Sequence, residues 1–123
     1  MTTAPVLISR VLRIAAWGSV VALALLSLLP SGSIARTSMG GHAEHVIAYA
    51  IAAALLCWGY SGSAGQTRIV AALLAYAAIL ETLQQFSPGR TSQLRDFAFS
   101  AAGVLIGAAL AWALRVGALH RSG

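Results

Sequence analysis

The chain has 123 residues, 59% hydrophobic and 9% charged, with eight arginines, no lysine and three acids for a net charge of +5. Soluble domains carry about 25% charged residues, and a chain this short buries only about 60–70% of its unfolded surface, so these proportions exclude a water-soluble globule. The arginines stand singly between apolar runs and form no basic face, which speaks against a nucleic-acid partner and for orientation signals and contacts with membrane lipids.

Arg10 and Arg13 precede an apolar run that closes at Pro30-Ser31-Gly32-Ser33. A secretory signal cleaved near Ala35 is one reading of this stretch. The run is longer than most signal cores and contains Trp17, so a retained first helix over 11–30 is expected. Ser31–Gly41 then reads as a loop. A second helix is expected over 42–60, with His42, Glu44, His45 and Tyr49 crowded at its start and Trp58 and Tyr60 at its end. Cys57, the lone cysteine, reads as a small buried hydrophobe. Ser61–Gln66 is a turn, Thr67 an N-cap, and 68–86 a third helix. Ser87–Leu94 breaks the pattern, and a fourth helix is expected over 96–115 before a basic tail.

Each run of about 20 residues at 1.5 Å per residue spans a hydrocarbon core of about 30 Å. None shows the alternation of a lipid-facing strand. The expected fold is therefore an all-α membrane protein, a single domain of four transmembrane helices in an up-down-up-down bundle. Such a bundle puts both termini and the Ser61–Gln66 turn at one end with Arg10, Arg13, Arg68, Arg115 and Arg121. Arg36, Arg90 and Arg95 fall at the other. The positive-inside rule then places both termini in the cytoplasm of a bacterial inner membrane. All three acids, Glu44, Glu81 and Asp96, fall in the opposite half.

Glu81 is the most demanding residue. It lies 13 positions after Arg68, deep in an apolar run, where an acid costs about 2.5–3.5 kcal/mol at the helix centre. It also lies towards the C-terminus of its helix, where the macrodipole disfavours negative charge. It serves either as an interhelical clamp paired to Arg90 or Arg95, or as a ligand- or proton-handling group. Gln85 follows one turn later, on the expected same face. Asp96 falls in the first turn of the fourth helix, where the dipole favours acids, and it also heads a face that continues through Ser100, Gly103 and Gly107. Gly103-xxx-Gly107 permits close helix approach. Arg90, after Pro88-Gly89, either snorkels or grips a carboxylate or phosphate. His42, His45, Glu81 and Asp96 include metal-ligand types, but their spacing matches no metal motif, so no metal or cofactor is expected. No nucleophile motif or phosphate loop is present.

Glu81-x3-Gln85, Pro88, Arg90-x5-Asp96, Gly103 and Gly107, preceded by His45-x3-Tyr49, resembles the VanZ-like family of small integral membrane proteins. The resemblance covers Gly41 to Gly107. Gly41 and His42 stand where the family often has Asp-Lys, and Ser100 where it often has Asn. The resemblance makes Glu81, Gln85, Arg90 and Asp96 the transferable set. It implies an envelope-associated role, the family's namesake being linked to low-level resistance to the glycopeptide teicoplanin.

The expected function is a polar pocket at the extracytoplasmic face for a lipid or an anionic lipid-linked envelope precursor. Arg90 and Arg95 contact its head group, with Gln85, His45 and Tyr49 as further ligand-binding residues. Glu81 and Asp96 orient the arginines or act as acid and base. A membrane scaffold whose polar residues only fix helix packing is the rival. A small proton-coupled transporter, which would require a homo-oligomer, is a third reading.

Overall fold

The computed structural model describes residues 3–29, 41–60, 63–87 and 94–123. Four helices account for nearly all of them: α1 Thr3–Leu28, α2 Gly41–Gly59, α3 Ser63–Gln84 and α4 Leu94–Arg121. All four are long and apolar enough to cross a membrane, and no strand occurs among the described residues. The all-α membrane fold expected from the sequence is therefore the one observed.

Helix ends depart from the expected ones for identifiable reasons. α1 begins at Thr3, so Arg10 lies inside it instead of ahead of it, and Arg13 lies more than two turns from its start. Arginine is a good helix former, and its long side chain carries the charge away from the axis. α4 runs on past Arg115 to a last turn that contains His120 and Arg121, charges suited to a helix C-terminus. α3 starts at Ser63, inside the stretch read as a turn, and stops at Gln84. There Phe86 N–H donates to Leu83 O at 3.1 Å and Ser87 N–H to Gln84 O at 3.0 Å, a tightened final turn ahead of Pro88. The Pro88-Gly89 break itself, with Pro30, Arg36 and Arg90, lies outside the described residues.

Chain order is not packing order. The closest pair is α2 with α4, and the two run parallel: His42 faces Asp96, Val46 and Tyr49 face Gly103, Ala50 and Ala53 face Gly107, and Cys57 faces Arg115. α1 lies against α2 and α3, α3 also lies against α4, and α1 does not touch α4 among the described residues. The ring order is α1, α2, α4, α3. Glycine makes the central contact possible. A Cβ at Gly103 would run into the carbonyl oxygen of Val46, and one at Gly107 into that of Ala50. Ala16, Ala52, Ala53, Ala77, Ala108 and Ala111 continue the small, buried lining. Lipid offers no hydrophobic drive between helices, so close van der Waals approach through small residues holds such a bundle together. Large apolar side chains such as Ile14, Leu25, Ile79 and Leu105 face outward.

Two arginines close one end of α2. Arg13 of α1 donates from Nε to Gly59 O at 3.0 Å, and its guanidinium stacks 4.6 Å above the Tyr60 ring. Arg115 of α4 donates from Nη2 to Cys57 O. The last four carbonyls of a helix lack partners within it and carry the negative end of the dipole, so paired cations there satisfy both needs. Further hydrogen bonds tie α1 to the bundle. Trp17 Nε1 donates to Tyr60 Oη at 2.8 Å, Tyr76 Oη to Val20 O at 2.6 Å, and Ser87 Oγ to Leu28 O at 2.7 Å.

Candidate functional site

The polar side chains gather at the end opposite the arginine-capped one, at two depths. α3 supplies the deeper layer because its inward stripe, Leu73, Ala77, Leu80, Glu81 and Gln84, turns from apolar to polar in its last two turns. Glu81 is only 7% exposed and Gln84 3%. Opposite them stands Tyr49 of α2, at 2% exposure, within electrostatic reach of both Glu81 and Tyr76.

The phenol of Tyr49 is fixed by α4. Its Cβ sits where Gly103 leaves room, 3.0 Å from the position a glycine Cβ would take. Its hydroxyl lies beside that of Ser100. Ser100, also buried, donates to Asp96 O at 3.0 Å. Tyr76 adds a hydroxyl from α3, spent on α1. Glu81, Tyr49, Ser100 and Tyr76 thus form one cluster drawn from three helices.

The shallower layer is a rim. His42 Nε2 lies 3.3 Å from Asp96 Oδ1, and the imidazole stacks on Phe99 with ring centroids 4.5 Å apart and planes 21° from parallel. His45 follows one turn further along α2, half-buried. Arg95 is exposed at the start of α4. Asp96 therefore does more than meet the helix dipole: its carboxylate pairs with α2, and its carbonyl receives Ser100.

Two expectations need correction. Gln85 does not share the inward face of Glu81; α3 ends one residue earlier, so Gln85 sits in the turn and is exposed while Gln84 points inward. The clamp between Glu81 and Arg95 gains no support, because Arg95 is exposed at the rim; a clamp to Arg90 falls outside the described residues. Sequence reasoning also passed over Tyr76 and Phe99. Tyr76 lies on the stripe of Leu73, Ala77 and Leu80, and that spacing was the available signal. Among the described residues no buried side-chain nitrogen or oxygen lacks a hydrogen-bond partner. No group of three metal-ligand side chains converges among them.

A sequence model described as VanZ/LLP1 matches residues 7–115, which spans parts of all four helices. The chain belongs to the VanZ/LLP1 family. The match reaches well before Gly41, so α1 is part of what this VanZ/LLP1 protein shares with its family. No curated protein and no solved structure matches the chain. Within this VanZ/LLP1 bundle, Tyr49, Glu81, Ser100 and Gly103 lie together in one cluster, with Asp96 above it.

Proposed function

We propose that this VanZ/LLP1 protein holds the anionic head of a lipid or lipid-linked envelope precursor at the polar end of the bundle. That end faces away from the cytoplasm of a bacterial inner membrane. The orientation is supported by Arg10, Arg13, Arg68, Arg115 and Arg121 falling at the terminal end. The observation that carries the reading is the burial of Glu81 in the polar cluster around Tyr49. A carboxylate inside a membrane span is costly and marks a functional position by default. In this reading Arg90 and Arg95 meet the phosphate. Asp96 and His42 form the rim, and Glu81 with Tyr49 holds or passes a proton beneath the head group. Low-level glycopeptide resistance is the envelope phenotype this activity would produce.

A scaffold role is favoured by one observation: among the described residues every buried polar side-chain atom has a hydrogen-bond partner, as in helix-packing contacts. A single variant separates the two. Full-length Glu81→Gln protein is reconstituted beside wild type and titrated with a polyprenyl phosphate, with thermal unfolding in parallel. The pocket reading expects wild-type melting and lost binding. A scaffold gives reduced melting. A stable Glu81→Gln protein that binds as wild type does sinks the pocket reading.

A further inference from the structure

At the arginine-rich end, between α1 and α3, the bundle opens into a groove of about 390 Å³. Trp17 and Val20 of α1, Leu56 of α2, and Ile69, Ala72 and Leu73 of α3 line it. Further from the termini α1 and α3 are tied together by the Tyr76–Val20 and Ser87–Leu28 bonds. Nearer the termini, small residues of α3, Gly65 and Ala72, face α1 and leave the space. Tyr76, a member of the polar cluster, forms its inner wall, and no other member of that cluster lines it.

We propose that this groove is a binding site for one acyl chain of an anionic glycerophospholipid, with the phosphate held at Arg68. The walls are almost wholly apolar, so a polar or hydrated occupant has nothing to bond. The volume falls within the range of about 300–1,000 Å³ typical of ligand sites. Charge selects the head. Arg68 stands on the groove's edge, and Arg13 lies across Tyr60, which lines the same edge. Trp17 and Tyr60, hydrogen-bonded to each other, place an aromatic pair at the same level, as residues do at a membrane interface. An apolar slot with a cationic, aromatic rim fits an acyl chain with a negative head. The inference does not depend on the polar cluster at the other end.

Trp17 is its own reporter. The protein has three tryptophans, and Trp58→Phe with Trp112→Phe leaves Trp17 alone. A second protein, Trp17→Phe with Trp58→Phe, leaves Trp112, which is exposed on α4 away from the groove. Each full-length protein is placed in phosphatidylcholine vesicles containing a small fraction of brominated phosphatidylglycerol or brominated phosphatidylcholine. Trp17 should be quenched at about fivefold lower fraction of the anionic lipid, the factor for ~1 kcal/mol from one arginine. Arg68→Gln, at an exposed position, should remove this preference, and Arg68→Lys should keep it. Ala72→Phe, which fills the groove, should reduce quenching by both lipids. Quenching of Trp17 that follows mole fraction equally for both lipids overturns the proposal. So does the same preference at Trp112, which would mean that net charge gathers anionic lipid all around the bundle.

Discussion

Arg115 of α4 donates to the carbonyl oxygen of Cys57, the third residue from the end of α2. Arg13 reaches Gly59 on the same helix from α1. The C-terminus of α2 is thus clasped between two helices that do not touch one another. A hydrogen bond from a charged donor contributes about 1.5–3 kcal/mol. Arg115→Gln and Arg13→Gln should each lower stability by about 1–2 kcal/mol, the partial exposure of both sites taking them to the low end. They act on different carbonyls, so their effects should add. Urea or thermal unfolding of the single and double variants in detergent checks this, and a strongly non-additive pair contradicts it.

Gly103 and Gly107 should be intolerant of even one methyl group. A Cβ at either meets backbone oxygen of α2, which has no rotamer to yield. Overpacking of this kind costs about 1–3 kcal/mol, offset by up to ~1 kcal/mol of helix propensity. Gly117→Ala, with nothing within 4 Å, should be neutral or slightly stabilising. Melting curves of Gly103→Ala, Gly107→Ala and Gly117→Ala read the difference. Gly103→Ala should also disturb the polar cluster, because it displaces Tyr49.

Tyr76→Phe removes the donor to Val20 O while keeping the ring. Such interhelical bonds contribute about 0.6 kcal/mol in membranes, up to ~1.7. The expected loss is of that size, and hydrogen exchange of the Ala24 amide, bonded across the same turn of α1, should rise with it. An unchanged variant would mean that the Tyr76 bond adds nothing to the docking of α1.

The His42–Asp96 pair should matter little for stability. The His42 side chain is 47% exposed and that of Asp96 20%, so Asp96→Asn should cost no more than ~1 kcal/mol. A larger fall in melting temperature would show that the Asp96 carboxylate has a structural duty beyond the rim. Loss of polyprenyl phosphate binding at near-normal stability would instead place Asp96 in the pocket.

Four helices and the polarity of the bundle were legible because apolar length and the position of each charge are properties of the chain itself. Glu81 was legible too: nothing local explains an acid near a helix C-terminus. Gln85 was misplaced because a helical face can be projected only while the helix lasts, and α3 stops at Gln84. Gly103 and Gly107 announced a packing face without naming its partner. Nothing in α2 marks Val46 and Ala50 as the backbone that would receive them. Arg13 and Arg115 read as orientation signals, since a cap supplied by another helix depends on the finished packing.

The parallel α2–α4 seam also dictates an order of assembly. The two helices are separated in the chain by α3, so the widest contact in the protein cannot form while the first three segments are being synthesised. Until α4 arrives, the Val46–Ala53 stripe of α2 has only lipid or a chaperone to cover it. A chain cut before Leu94 should therefore insert its first three helices yet remain open along that stripe, prey to quality-control proteolysis. Supplying α4 as a separate peptide in the same membrane should close it.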